Sequence, residues 1–146
     1  MTSDRYTARI VSWQESEPQL RAIRSTVFIQ EQNVPEVLEW DGEDTHATHV
    51  LACDAQGQAI GTARLLLHGN LAHIGRMAVL MGWRKQGVGS AVLECVIAEA
   101  RRRGANSAFL NAQTNAVAFY ERAGFTREGE EFLDAGIPHF RMTRRL

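Results

Sequence analysis

The period of the apolar positions changes along this chain, and each change marks an element. Ala8 to Trp13 alternates as a strand does. Leu20, Ile23 and Val27 then recur at helical spacing with Phe28 alongside, so one face of a helix is buried. Pro18, tolerated in a first turn, opens that helix, which runs to about Glu31 and stops before Pro35. Glu36 to Thr45 is acidic and turn-rich, with Asp41-Gly42 as a turn signal. His46 to Asp54 and Gln58 to His68 form a hairpin about Gln56-Gly57, and Gly69-Asn70 turns the chain into a third strand, Leu71 to Val79. From Gly87 to Arg103, Val92, Leu93, Val96, Ile97 and Ala100 make one helical stripe that Gly104 ends. Ser107 to Asn111 is a short apolar strand, expected to pair parallel to the Leu71 strand after the helical crossover. Asn115 to Ala123 is a second helix closed by Gly124. Phe125 to Glu128 and His139 to Arg145 are the last strands, separated by a loop from Gly129 to Pro138. The pattern predicts a mixed sheet with helices on both faces, of α/β or α+β type.

Composition narrows the function classes. At 146 residues, one domain spanning 1–146 is expected, with room for a real core. The net charge of −1 gives no field for gripping nucleic acid. The clusters Arg101-Arg102-Arg103 and Arg144-Arg145 are read as a helix-end cap and a decorated terminal strand. Cys53 and Cys95 lack metal-ligand spacing and are too few for a disulfide scaffold, so both read as small core residues in a reducing cytoplasm. No metal site is expected, because His46-x-x-His49 in a strand puts its rings on opposite faces. The segment Met1 to Tyr6 lacks the apolar core of a signal peptide, and no apolar run approaches the ~20 residues of a membrane helix. A cytoplasmic protein without membrane or nucleic-acid partners is expected. Oligomeric state is open, with a homodimer the commonest assembly.

The chemistry concentrates between Ile74 and Ser90. An apolar strand ends in Met77-Ala78-Val79, a short turn carries Arg84 and Lys85, and Gly87 and Gly89 open the long helix. The first amides of a helix are unpaired and carry partial positive charge, so such an end attracts phosphate. The glycines let a ligand approach the backbone, although glycines before a helix can equally make only a turn. Neither a Gly-x-Gly-x-x-Gly fingerprint nor a Gly-Lys-Ser/Thr ending is present.

Arg84-x-x-Gly87-x-Gly89 after the Met77–Leu80 run resembles the acyl-CoA signature of the GNAT N-acyltransferase superfamily. Asn115-Ala-Val-Ala-Phe-Tyr-Glu-Arg-Ala-Gly-Phe125 is similar to that family's second signature, one residue shorter between Asn115 and Phe119. The resemblance is to the ElaA-like branch in particular, through Phe28-Ile-Gln-Glu-Gln-Asn-Val-Pro35, Glu39-Trp-Asp-Gly-Glu-Asp44, Asn111-Ala-Gln113 and Gly136-Ile-Pro-His139. It implies a mixed, mostly antiparallel sheet of six to seven strands flanked by helices, with central strands splayed for CoA. It also implies an N-acetyltransferase that uses acetyl-CoA to acylate a primary amine by direct attack. In that reading the amides of Arg84, Lys85, Gln86, Gly87, Val88, Gly89 and Ser90 surround the pyrophosphate. Met77, Ala78 and Val79 hold the pantetheine arm and supply an oxyanion donor. Asn115, Phe119 and Tyr120 complete the cofactor site, and Tyr120 serves as general acid to the CoA thiolate.

Each residue also has a plainer reading. Tyr120 can simply pack beside Phe119. Asn111 and Gln113 can contact pantetheine amides or satisfy a strand end. For the base that frees the amine, the sequence offers His139, Glu31 and His73, with His46 and His49 titrating in the same range. His73 is expected to share a strand face with Gly75, Met77 and Val79. Glu31 can instead cap or pair with arginines of its own helix. The acidic run of Glu36, Glu39, Asp41, Glu43 and Asp44 is either a solvated loop or an attractor of a cationic amine. Two other functions fit the same motifs. One is a non-catalytic acyl-CoA sensor. The other is an acyl-homoserine-lactone synthase, faintly resembled by Arg21 to Val34, though the chain is short for one.

Overall fold

A computed structural model describes residues 5–146. Met1 to Asp4, part of the segment read against a signal peptide, lie outside the described residues. The first strand, β1 (Tyr6–Ser12), runs directly into helix α1 (Trp13–Arg24). The helix therefore begins before Pro18. Ser12 caps it: its hydroxyl accepts from the Glu15 amide at 3.2 Å while the Glu15 carboxylate accepts from the Ser12 amide at 2.8 Å. Pro18 sits inside because Ser16, at φ −131°, opens a kink that makes room for its ring. The chain then winds wider, into a π-helical turn from Ser25 to Glu31. Leu20, Ile23, Val27 and Phe28 are all buried, as their spacing requires.

A short helix, α2 (Glu36–Glu39), opens the segment read as acidic and turn-rich. Strands β2 (Thr48–Asp54), β3 (Ala59–His68) and β4 (Leu71–Val79) follow as antiparallel neighbours. Helix α3 (Val88–Arg102) crosses over to β5 (Ser107–Gln113), and helix α4 (Val117–Arg122) follows. The last two strands, β6 (Thr126–Asp134) and β7 (Ile137–Arg145), are longer than expected. The supposed loop from 129 to 138 is mostly a hairpin, turned at Ala135 and Gly136, which take φ +52° and +77°. It was hidden because β6 is exposed along its whole length and carries no apolar alternation.

The seven strands form one sheet in the order β1-β2-β3-β4-β5-β7-β6. Only β4 and β5 are parallel. The fold is thus the seven-stranded, mostly antiparallel sheet that the family resemblance implied. Val92, Val96 and Ala100 of α3 pack with Val50, Ala72 and Ile74 on one face. Leu20, Ile23 and Val27 of α1 pack with Val11, Leu51 and Ala78 on the other. Each fully buried aliphatic side chain contributes about 1.5–3 kcal/mol to holding these layers. Among the described residues, no helix is long and apolar enough to cross a membrane.

A bulge in β4 breaks the expected alternation. Arg64 pairs with Gly75 and Thr62 with Ala78, so β4 spends one extra residue, and Arg76 takes it at φ +52°. Before the bulge Ala72 and Ile74 face α3; after it Ala78 faces α1 while Met77 and Val79 pack toward α3. His73 therefore shares its face with Gly75 and Ala78, not with Met77 and Val79.

Candidate active site

Strands β4 and β5 pair only from Leu71 to His73 against Ser107 to Phe109. Beyond that point they part: β4 continues with β3 to Val79, and β5 continues with β7 until Gln113 faces His139. The gap is a cleft of about 680 Å³. Its β4 wall offers unpaired backbone. The Leu80 amide donates to the Ile60 carbonyl at 2.9 Å, which makes Thr62 and Ala78 a hydrogen-bonded pair in the same ladder. The main-chain groups of Met77 and Val79 consequently point away from β3, into the cleft. The Val79 carbonyl already accepts from Arg84 Nε at 2.9 Å.

At one end of the cleft stands the N-terminus of α3. Gly87 caps it at φ +91°, and no side chain accepts from its first amides. A Cβ at Gly87 would lie 2.8 Å from the Tyr6 hydroxyl, which donates to the Gln86 carbonyl. The Gln86 side chain is committed to the turn: it donates to the Gly82 carbonyl at 3.0 Å and accepts from Arg5. Gly89 has a second use, since a Cβ there would rest 3.4 Å from the Phe119 ring. Phe119 in turn meets Tyr120 edge to face at 5.0 Å. Arg84, Lys85, Asn111, Asn115 and Tyr120 line the cleft, whereas Gln86, Gly87, Val88, Gly89, Ser90 and Phe119 lie just beyond it.

Tyr120 packs beside Phe119, as its plainer reading has it. Its ring is buried between Phe119 and Phe125, and it borders the cleft. Its hydroxyl makes no hydrogen bond among the described residues. Burial pushes its phenol well above the ordinary value, so it stays protonated at neutral pH and acts as a donor.

The three proposed bases separate. His139 borders the cleft and is buried, stacked on Phe132 at 5.9 Å. Its Nδ1 donates to the Ile137 carbonyl at 2.6 Å, which leaves the Nε2 lone pair available in the neutral ring. His73 also borders the cleft but stacks on Phe109 at 4.3 Å. Burial, followed by the nearby Arg64 charge, lowers it to about 4, so it is a weak base. Glu31 does not line the cleft and pairs with Arg84, on another element rather than its own helix. His46 is exposed. His49 is buried against Trp13 and donates through Nε2 to the Asp44 carbonyl, away from the cleft. Asn111 is exposed on the cleft wall, and Gln113 donates across it to Gln32 at 2.8 Å.

The acidic run is not wholly a solvated loop: Glu36 and Glu43 are exposed, but the other three carboxylates are tied to arginines. Glu39 and Asp44 are buried, and both bind Arg24, at 2.8 and 2.6 Å. Arg64 bridges Asp44 and Asp41, at 3.2 and 2.9 Å, and Arg76 bridges Glu39 and Asp41, at 3.0 and 3.3 Å. Three arginines neutralise three carboxylates. Burial works to raise the Asp41 carboxyl, but hydrogen bonds from Arg64 and the Glu43 amide outweigh it and hold it at about 2. These arginines lie far from the run in sequence, and single residues carry no signal of their partners. The basic cluster at the end of α3 is exposed, but Arg102 and Arg103 both pair with Glu99 of the same helix.

Both the sequence and the fold of this chain match known proteins. The family described as Acetyltransferase (GNAT) domain matches residues 13–146. This chain belongs to the GNAT acetyltransferase family. The uncharacterized N-acetyltransferase YjcF of Bacillus subtilis (strain 168) is 37% identical over 123 residues, 84% of this chain and 87% of that protein. An acyl-CoA N-acyltransferase from Pseudomonas aeruginosa is 31% identical, with a TM-score of 0.81 over 95% of this chain and 97% of its own. Escherichia coli ElaA, at 24% identity, shares the fold with a TM-score of 0.85 over 95% and 99%. This GNAT protein is an N-acyltransferase with an acyl-CoA co-substrate. Arg76, Leu38 and Asp134 also line the cleft, and the sequence reading assigned none of them an individual role, whereas Gln32 stands in the Phe28–Pro35 run of the resemblance. A bulge arginine and residues brought in from other elements leave no local pattern.

Proposed function

We propose that this GNAT enzyme transfers an acetyl group from acetyl-CoA to a primary amine, by direct attack in a ternary complex. The observation that carries the reading is the cleft between β4 and β5, lined by Arg84 and Lys85 of the turn before α3 and by Tyr120, whose hydroxyl has no partner among the described residues. The α3 amides, with Lys85 and Arg84, hold the pyrophosphate. Pantetheine adds to the free edge of β4 and contacts Asn111 and Asn115. The thioester oxygen receives a hydrogen bond from the Met77 or Val79 amide, whose dipole is fixed before reaction.

An alkylamine near ~10.4 is almost wholly protonated at neutral pH. His139 Nε2 takes that proton, and the nitrogen lone pair then attacks the thioester carbon. The C–S bond breaks as the oxyanion collapses. Tyr120 donates its hydrogen bond to the departing thiolate, and the proton lost by the new amide nitrogen balances the thiol product.

The test is thiol release from acetyl-CoA with a panel of primary amines, alongside calorimetry of CoA binding. Wild-type binding that Gly89→Glu abolishes, with amine-dependent thiol release, supports the reading. Binding without release under every amine would instead describe an acyl-CoA sensor. No binding by folded protein would overturn the reading.

A further inference from the structure

Arg76 holds an unusual backbone position. It is the extra residue of the β4 bulge and lies in the left-handed region at φ +52°, where a side chain with a Cβ is strained. The residue after it, Met77, turns its main chain into the cleft. Arg76 also borders the cleft itself.

Its side chain is anchored on three sides. Nε donates to Glu39 Oε2 at 3.0 Å, and the other arm donates to the Glu39 carbonyl at 2.9 Å and to Asp41 Oδ2 at 3.3 Å. These acceptors are themselves held. Arg24, wholly buried, donates to Glu39 Oε2 at 2.8 Å and to the Glu39 carbonyl at 3.2 Å. Arg64 grips both oxygens of Asp41 at 2.9 Å. The charges come from α1, α2 and its following turn, β3 and β4, and they meet at the one strained residue of the strand that borders the reacting carbonyl.

We infer that Arg76 is a positioning residue for acyl transfer: its ion pairs with Glu39 and Asp41 pin the left-handed bulge that aims the Met77 amide at the thioester oxygen. The inference rests on the acyl-transfer reading above. The network also ties Glu39 and Asp41 to the β4 bulge, so the cleft residues Leu38 and Glu39 keep a fixed relation to the oxyanion donor. A fixed donor is worth more than a mobile one, because it needs no reorganisation as charge develops.

Two substitutions separate the backbone from the charge. Arg76→Ala removes the ion pairs and keeps a Cβ in the left-handed region. Arg76→Gly removes the same ion pairs but adopts that region without strain. Arg76→Ala should lower kcat about tenfold or more, with the KM for acetyl-CoA changed less than about twofold, as expected for a misplaced reacting group. Arg76→Gly should recover at least about threefold of that kcat, although glycine is ordinarily the poorer residue in a strand. The Met77 amide resonance should shift in the alanine variant and return toward its native position in the glycine variant. Asp41→Asn, on the exposed side of the network, should lower kcat in the same sense but less, and it gives the answer if the Arg76 variants do not fold. Equal kcat in the alanine and glycine variants, or a loss confined to KM, would overturn the positioning role while leaving acyl transfer intact. Wild-type protein that binds no CoA would overturn the acyl-transfer reading and this role with it.

Discussion

Arg84 grips Glu31 with both arms of its guanidinium, at 2.8 and 2.9 Å, so the turn before α3 is tied to the π-helical turn after α1. A diphosphate arriving at the α3 N-terminus competes with that carboxylate for the same cation. Glu31→Gln should therefore tighten CoA binding about threefold, the worth of one partly exposed ion pair. Calorimetry at two salt concentrations measures it. Weaker binding would mean that Glu31 instead holds Arg84 in its phosphate-binding pose.

Tyr120→Phe keeps the buried ring and removes the one hydroxyl it presents to the cleft. It should leave the melting temperature and the Kd for CoA nearly unchanged and lower kcat by about 10- to 100-fold. Steady-state kinetics beside calorimetry separates the two quantities. A loss seen only in KM would refute the role of hydrogen-bond donor to the thiolate.

His139 and His73 border the same cleft and should behave differently. His139→Asn retains a donor for the Ile137 carbonyl but has no counterpart of Nε2. It should lower kcat/KM about 100-fold. His73→Gln should spare the rate and change stability instead. The folded value of His73 is about 4 against an ordinary 6.5, so the unfolded chain takes up the proton first as pH falls. Stabilisation present above pH 6.5 is lost progressively toward pH 4, and His73→Gln should remove that slope in denaturant titrations. Below this window Asp41, held at about 2 from 3.8, and Asp44 continue the acid loss in both proteins.

The two loop glycines should fail in different ways. Gly87→Ala forces a Cβ into φ +91° and to 2.8 Å from the Tyr6 hydroxyl, and should cost about 1–3 kcal/mol of stability. Gly89 has no such backbone constraint, and a Cβ there meets Phe119 at an ordinary 3.4 Å. Gly89→Glu should fold and lose CoA binding through bulk and charge. Thermal melts with and without CoA distinguish the two.

By itself the sequence determined the succession of strands and helices, the burial of Leu20, Ile23 and Val27, and the glycine-opened α3. These follow from local periodicity and from backbone conformations that few residues adopt, and both are written in neighbouring positions. It did not mark the β6–β7 hairpin, because an exposed edge strand has no apolar face to alternate. Tertiary structure alone decided which charges meet. In the sequence Glu39, Asp41 and Asp44 read as a solvated run or as an attractor of a cationic amine; in the fold Arg24, Arg64 and Arg76 come to them from three other elements. It also decided the parity of β4. A single residue in the left-handed region moved Met77 and Val79 to the opposite face from His73, and no rule of spacing records a bulge whose strain is held by side chains 35 or more residues away.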